Sequence, residues 1–278
     1  MALTFCAGTF LLASMSASEP AKVTGNRWGA IRLDYLFVVV IPCLIALYTN
    51  KYLSGFTIID HLKTILGWAF LAVAGNVIND MVDKDRDTGW RAKELAAVAV
   101  GCVCLALLCF MDAVIANPLN ALWIGIAITL IVIYNFGMKH VPLASGFVQV
   151  FAEICMPYFT IHVPDDPIEW LWLVALYLFG VLSQFMHEAL DRDALARRFS
   201  PARVRSIVIL FSLLTIAAGT VLFFSSSPWE FNIVPIAFVP LACIYIFRVP
   251  RASSGNIKSI GIILGNFFMV YFVVLLVA

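Results

Sequence analysis

Nine apolar segments of roughly membrane-crossing length dominate this chain of 278 residues. About 20 residues are enough to cross the hydrocarbon core of a bilayer as a helix. A backbone in lipid must satisfy its own hydrogen bonds, and segments this rich in Leu, Ala and Val do so as helices. The approximate spans are 32–50, 60–82, 95–115, 119–138, 143–162, 169–190, 204–224, 231–248 and 257–278. The pattern predicts an all-α integral membrane protein, a bundle of nine transmembrane helices.

Charge is scarce, and the positive charge lies almost entirely on one side of these spans. Charged residues make up 13% of the chain and apolar residues 62%. Among the 18 lysines and arginines, only Lys51 and Lys63 fall on the side opposite the N-terminus. The positive-inside rule makes the basic side cytoplasmic, and an odd number of spans sends the C-terminus out. There is no basic tail or stripe of the kind that nucleic acid requires, so the lipid bilayer is the expected surface partner.

Residues 1–25 are predicted to form a short cytoplasmic or interfacial segment, and residues 26–278 a single transmembrane domain. Residues 3–15 are an apolar run followed by small residues, which also fits a signal peptide. No positive charge precedes this run, and the charge distribution keeps this end inside. We therefore favour the interfacial segment over a signal peptide.

Four aspartates lie within eight positions at the end of the second span, in the sequence NDMVDKDRD. Asn79, Asp83 and Asp87 are four residues apart and share one helix face, with Asp80 on a neighbouring face. Carboxylates this close repel one another, and the helix dipole adds to the repulsion. Their oxygen atoms suit a hard cation such as Mg²⁺, which is commonly shared with substrate phosphates. The alternative is a solvated acidic cap that pairs with the basic residues after it.

A second acidic cluster ends the sixth span, in the sequence QFMHEALDRDALARR. His187, Glu188 and Asp191 share one side of a helix there. Arg197 and Arg198 follow, and guanidinium groups match the geometry of phosphate oxygens. Two acidic helix ends that open to the same compartment could hold a diphosphate between metal ions, with its lipid tail in the bundle.

These stretches resemble the motifs of the UbiA superfamily of intramembrane prenyltransferases. NDMVDKDRD is similar to the family's first aspartate-rich motif, NDxxDxxxD, and HEALDRDALARR resembles the second. The resemblance implies six metal-binding residues, namely Asn79, Asp80, Asp83, Asp87, Glu188 and Asp191, with Asp83, Asp87 and Asp191 central to catalysis. YNFGMKHVP is similar to a tyrosine–lysine–proline stretch after the fourth helix. The basic residues expected at the diphosphate are Arg91, Lys139, Arg197 and Arg198, and further cavity candidates are Tyr134, Glu153 and His187.

The resemblance implies a UbiA-type bundle with a central cavity and an Mg²⁺-dependent reaction. The substrate is an isoprenyl diphosphate, whose prenyl group passes to a small, aromatic acceptor. The sequence departs from the family at Leu195, where the second motif has an aspartate, and it lacks the basic stretch after the first motif. A UbiA-type terpene cyclase, which needs no acceptor, therefore stays open as an alternative. An ion or metabolite transporter is a second alternative, although transporter sites usually lie on broken helices near the midplane.

Four further expectations concern single residues or a short connection. Glu153 lies centrally in its span, where it either faces the cavity or bonds between helices, and Gln149, one turn earlier, is a possible partner. Asp112 is expected near the far interface, within reach of water. The far-side connection VPDDPIE is predicted to be a plain turn, with no role for His162. Leu195→Asp, which restores the family's aspartate, is expected to be tolerated.

Overall fold

The computed structural model describes residues 31–54, 57–83, 89–191, 194–225 and 254–277, without the side chains of 51–54, 83, 191 and 254–260. The described residues form helices joined by short connections, with no strand among them. In the first half the helices are α1 (Phe37–Ser54), α2 (Leu62–Asp83), α3 (Ala92–Ala116) and α4 (Leu119–Phe136). In the second half they are α5 (Met156–Ile161), α6 (Pro167–Asp191), α7 (Ala194–Arg198), α8 (Pro201–Ser225) and α9 (Ser254–Val277).

Every predicted span that falls within the described residues coincides with helical structure. Six of the described helices are long and apolar enough to cross a membrane, and Gly261–Val277 is apolar but shorter. The predicted span 231–248 and the N-terminal segment 1–25 lie outside the described residues. The chain is therefore a multi-pass membrane protein, while the total of nine helices and the central cavity remain predictions.

The fifth predicted span, 143–162, differs from a regular α-helix. Ser145–Gln149 and Phe151–Cys155 are wound as π-helix, and only Met156–Ile161 is α-helical. Pro157 gives a physical reason, because it has no N–H to offer the carbonyl of Glu153 and its ring crowds that carbonyl. Local widening of a helix to the π form relieves such crowding, and π-helical turns are frequent at functional sites.

Helices that pack side by side bury the largest side chains of the bundle. α2 packs against α3, α6 against α8, and α1 against both α9 and α5. Trp68, Phe110 and Tyr158, from three different helices, are fully buried. The indole N–H of Trp68 donates to Thr160 Oγ1 at 2.7 Å. A buried donor is thereby satisfied, as an apolar interior requires.

The two ends of the bundle carry different polar groups. We call the end where α2 finishes at Asp83 and α6 finishes at Asp191 the motif end, and the opposite end the far end. At the far end Lys63 Nζ lies 2.6 Å from Asp112 Oδ2, and both side chains are well exposed. Asp112 is thus exposed and paired with Lys63 near the far end, and its access to water stays a prediction.

Candidate active site

The last turn of α2 presents Asn79 and Asp80 to two different neighbours. Successive residues of a helix point about 100° apart, so these two side chains cannot share a partner on one face. Asn79 Oδ1 accepts a hydrogen bond from Lys139 Nζ at 2.9 Å. Asp80 Oδ1 lies 2.5 Å from Nη2 of Arg32, which precedes α1. The first motif is thus held between two basic side chains that are distant in sequence.

Asp80 is a buried carboxylate with one free oxygen. Its side chain is only 4% exposed. Oδ1 is paired with Arg32, whereas Oδ2 has no hydrogen-bond partner within the described residues. A buried polar atom left without a partner costs about 1–3 kcal/mol, and more when it is charged. A cation bound at Oδ2 would remove this cost, so the site suits a metal ion.

Arg32 makes its contact from a backbone conformation that residues other than glycine rarely adopt. Its φ is 47° and its ψ 49°, in the left-handed region. Strained residues of this kind persist only where surrounding contacts hold them. The ion pair with Asp80 is one such contact, and it fixes the chain before α1 against the end of α2.

Lys139 reaches the first motif from a short turn after α4. Met138–His140 form a single turn of 3₁₀-helix, which follows Gly137 at the end of α4. The partly buried Lys139 ammonium donates to Asn79 across 60 residues of sequence. An ammonium in this position adds positive charge beside the acidic helix end.

Glu188 joins three elements at the second motif. Its side chain is buried on α6, and Ser145 Oγ contacts its Oε1. Its Oε2 accepts the backbone N–H of Leu195, on α7, at 3.1 Å. Through its contact with the Leu195 N–H, Glu188 holds the start of α7 against the end of α6. Its role as a metal ligand stays a prediction.

Close packing beside Glu188 depends on Gly146. A Cβ added at this position would overlap the ring of Phe185, which is fully buried one turn before Glu188. Only a residue without a side chain lets the π-helical segment approach α6 this closely. Gly146 thus permits the neighbouring Ser145 to reach the Glu188 carboxylate.

One short segment, residues 139–145, contacts both motifs through its side chains. We call this segment the linker 139–145. Lys139 contacts Asn79 at the first motif, and Ser145 contacts Glu188 at the second. Six residues can span at most about 20 Å, so the Cα atoms of Lys139 and Ser145 lie within that distance. Leu143, inside the linker, has a φ of 72° and packs against the core. The linker 139–145 therefore holds both acidic helix ends at the same end of the bundle.

The basic residues predicted at the diphosphate lie at helix starts and ends near the motif end. Arg91 is exposed at the start of α3, where its backbone N–H donates to Glu94 Oε2 at 2.8 Å. Arg197 and Arg198 are exposed in the last turn of α7. Within this basic set, Lys139 contacts a motif residue directly, through its hydrogen bond to Asn79.

The cavity candidates occupy three different segments. Tyr134 is half-buried on α4, and His187 is half-buried on α6 beside Glu188. Glu153 lies in the π-helical stretch, where its Oε1 accepts a hydrogen bond from Gln149 Nε2 at 2.8 Å. The suggested partnership of Gln149 with Glu153 is therefore confirmed.

Three predicted catalytic residues cannot be placed by their side chains. Asp83 and Asp191 are the last residues of α2 and α6, and their side chains lie outside the description. Asp87 falls outside the described residues altogether. The backbone ends of α2 and α6 nevertheless lie at the motif end, next to the contacts of Asn79 and Glu188.

Two site residues were not predicted from the sequence. Arg32 was counted only as one of many positive charges, although its place just before the first apolar span was a signal. Ser145 carried no signal, because a serine beside a glycine at the start of a span is ordinary. Both were revealed by contacts across 48 and 43 residues of sequence.

The fold and the site together define a multi-pass membrane protein whose two acidic motifs lie, with basic side chains beside them, at one end of a helical bundle. Comparison with known proteins makes the class specific. The model of the UbiA prenyltransferase family matches residues 39–260. The chain therefore belongs to the UbiA prenyltransferase family, which confirms the family resemblance.

Solved structures agree with this fold. A UbiA homologue from Archaeoglobus fulgidus bound to GPP and Mg²⁺ is 13% identical and superposes with a TM-score of 0.67. The same comparison covers 91% of this chain and 99% of the archaeal one. A structure of a UbiA homologue from A. fulgidus bound to Cd²⁺ is 14% identical, with a TM-score of 0.65 and the same coverage. No curated protein matches the sequence.

Proposed function

We propose that the chain is an Mg²⁺-dependent intramembrane enzyme that ionises an isoprenyl diphosphate and transfers the prenyl group to a small, aromatic acceptor. Membership of the UbiA prenyltransferase family supports the reaction class. The related archaeal structure with GPP and Mg²⁺ supports the substrate class and the metal. The observation that carries the proposal for this chain is the linker 139–145, which contacts Asn79 with Lys139 and Glu188 with Ser145.

The residues at the motif end fit Mg²⁺ by their chemistry. Carboxylate and amide oxygens are the ligands that Mg²⁺ prefers, usually together with substrate phosphates. At the motif end, the buried Oδ2 of Asp80 has no hydrogen-bond partner among the described residues, and a cation would satisfy it. The residues proposed to hold the metal are Asn79, Asp80, Asp83, Asp87 and Asp191, with Glu188 either as a further ligand or as the residue that orients Asp191. When bound, Mg²⁺ supplies Lewis-acid stabilisation of the negative charge on the departing diphosphate.

The basic residues around the motifs are proposed to bind the diphosphate. Lys139, which donates a hydrogen bond to Asn79, supplies a compact positive charge. The planar guanidinium groups of Arg91, Arg197 and Arg198 can each donate two hydrogen bonds to phosphate oxygens. The C–O bond breaks with its electron pair on the diphosphate, and the remaining allylic cation bonds to the acceptor, which loses a proton. The apolar bundle excludes water from that cation, and Tyr134, Glu153 and His187 are the proposed polar residues near it.

The active site is proposed to face the cytoplasm. This orientation rests on the positive-inside rule, because Arg32, Arg91 and Lys139 lie towards the motif end and Lys63 lies at the far end. Reaction of an engineered cysteine at each end with a membrane-impermeant thiol reagent in intact cells would test it. Labelling at the motif end without permeabilisation would refute the orientation.

A cyclase is the second candidate, and burial of Leu195 favours it. The family's second motif has an aspartate at this position, whereas Leu195 is fully buried and offers no ligand. In a cyclase, a double bond of the same prenyl chain captures the allylic cation, so no acceptor is needed. An altered second motif is compatible with such a change in how the cation is captured.

Product analysis of one reaction separates these candidates. The purified protein is incubated with Mg²⁺ and geranyl, farnesyl or geranylgeranyl diphosphate, with and without a panel of phenolic acceptors. Products are identified by mass spectrometry, and diphosphate release is measured alongside. We expect release to depend on Mg²⁺ and a prenylated product to form only with acceptor. A cyclic terpene formed without acceptor would establish the cyclase instead.

Control variants make the result specific to the motif end. Asp191→Asn should abolish diphosphate release. Asp112→Asn makes the same chemical change at the far end, where the carboxylate is exposed and paired with Lys63, and should leave release unchanged. If wild-type protein releases no diphosphate from any of the three substrates, the proposed enzymatic function is wrong.

A further inference from the structure

A histidine and two carboxylates meet at the far end, in the connection between α5 and α6. His162 directly follows α5, Asp165 lies in the connection, and Glu169 lies in the first turn of α6. His162 Nε2 is 3.2 Å from Glu169 Oε2 and 3.7 Å from Asp165 Oδ1. One ligand atom from each residue lies within 4.8 Å of both others. This far-end triad was not expected, since the sequence indicated only a plain turn.

Hydrogen bonding within the protein does not account for the triad. The Glu169 side chain is 4% exposed, and its Oε1 has no hydrogen-bond partner among the described residues. His162 Nε2 is also buried and forms no hydrogen bond of acceptable geometry, although Glu169 Oε2 is so near. An unsatisfied buried carboxylate oxygen is costly. A cation shared by His162 Nε2 and Glu169 Oε2 would bring these two atoms close together without a hydrogen bond between them.

Backbone hydrogen bonds also hold Glu169 beside the connection between α5 and α6. The N–H of Asp165 donates to Glu169 Oε2 at 3.1 Å, and the N–H of Ile168 donates to Asp166 Oδ1 at 2.6 Å. These bonds fold the connection back onto the start of α6. They explain why the connection is ordered, but they leave Glu169 Oε1 and His162 Nε2 without a hydrogen-bond partner in the part of the chain that the structure describes.

We propose that His162, Asp165 and Glu169 bind a divalent metal ion of the Zn²⁺ type. Imidazole nitrogen and carboxylate oxygen are ordinary zinc ligands, and ligand atoms at about 2.0–2.1 Å in a tetrahedron lie about 3.3 Å from each other. Two of the three separations, 3.2 and 3.7 Å, are close to that edge, and the third is within 4.8 Å. Asp165 is exposed, so the site opens to water, which can complete the coordination.

The far-end triad is separate from the proposed active site. Glu169 and Glu188 lie on the same helix, and their 19 residues of separation correspond to about 28 Å along its axis. A metal ion at the triad would fasten the end of α5 to the start of α6. The ion would therefore stabilise the far end of the two elements that contact each other through Ser145 and Glu188 at the motif end. This inference does not depend on the proposed enzymatic function.

Metal binding by the intact chain tests the proposal. The full-length protein, carrying no polyhistidine tag, is purified in detergent, stripped with chelator and exposed to micromolar ZnCl₂ in excess Mg²⁺, which occupies the acidic motifs. Retained zinc is measured by elemental analysis, and Co²⁺ is used in parallel for its ligand-field spectrum. Asp165→Asn is the principal variant, because Asp165 is exposed and its loss should not disturb folding. His162→Gln removes the imidazole, and Asp166→Asn is the matched control, since asparagine keeps the oxygen bonded to Ile168.

The expected results separate a metal site from a structural turn. Wild type and Asp166→Asn should each retain one triad-dependent zinc ion and show the same Co²⁺ spectrum. Asp165→Asn should bind zinc at least about tenfold more weakly, since even outer-shell partners of a metal are worth that much. His162→Gln should lose the ion and the spectrum. Zinc retention that is equal in all four proteins, or absent from wild type, overturns the proposal.

Discussion

Leu195→Asp is the substitution that best separates sequence reasoning from the structure. Aspartate at this position would restore the family's second motif, and the sequence led us to expect tolerance. The structure reverses this expectation, because Leu195 is fully buried on α7 and its N–H donates to Glu188 Oε2. A carboxylate here would enter the core beside a second carboxylate. We now expect the variant to be unstable.

The loss can be worked from two contributions. Removing a buried leucine side chain costs about 2–5 kcal/mol. Burying a polar group without a partner adds about 1–3 kcal/mol, and more when it is charged. The total is therefore at least about 3 kcal/mol, a large fraction of the 5–15 kcal/mol that holds a typical domain together.

Thermal unfolding in detergent measures this effect. We expect a lower midpoint for Leu195→Asp, a smaller loss for the uncharged Leu195→Asn, and near wild-type behaviour for Leu195→Met, which conserves volume. Mg²⁺ titration of each variant shows whether a new metal ligand compensates. If Leu195→Asp unfolds at the same temperature as wild type and needs less Mg²⁺ for activity, the packing argument is refuted and the motif interpretation is restored.

The remaining predictions concern the motif end. Asp83→Asn should lower the rate of diphosphate release at least about a hundredfold, because electrostatic groups at a reacting centre contribute on this scale. The control Asp112→Asn should keep the wild-type rate. Equal rates of release in the two variants would contradict the metal-site assignment. Lys139→Met should raise the KM for the diphosphate about tenfold to a hundredfold, as expected for a lost charge-assisted hydrogen bond of about 1.5–3 kcal/mol. An unchanged KM would remove Lys139 from the site. Gly146→Ala should destabilise the protein by about 1–3 kcal/mol through overpacking against an aromatic ring. Gly101→Ala, whose added Cβ meets no atom within 4 Å, should not lower the unfolding temperature, and equal behaviour of the two would show that the close approach is unimportant.

The helical architecture and the ends of the helices were predictable from local properties. Apolar length identified every span that the described residues contain, because a backbone in lipid has few alternatives to a helix. Spacing along one helix placed Asn79 and Asp80 on neighbouring faces for the same local reason. The exception was 143–162, where Pro157 and close packing changed the winding to π-helix. Hydrophobicity does not distinguish between these two kinds of winding.

The site was only partly predictable, because spacing says nothing about partners on other helices. The sequence placed Glu188 among the metal ligands, whereas the structure also gives it a positioning role between Ser145 and Leu195. It left Arg32 out, although this residue pairs with Asp80. It dismissed His162, because a histidine in a short connection has no periodic neighbours to reveal it.

The sequence by itself determined a membrane-embedded helical chain of the UbiA family with acids at two helix ends. Apolar length, charge segregation and helical spacing depend on residues that are close in the sequence, so they can be predicted from the sequence alone. Only the tertiary structure decided that Lys139 meets Asn79, that Leu195 is buried, and that His162 meets Glu169. Such contacts depend on how closely helices approach, and that is set by the packing of side chains such as Phe185 against Gly146 rather than by any local pattern.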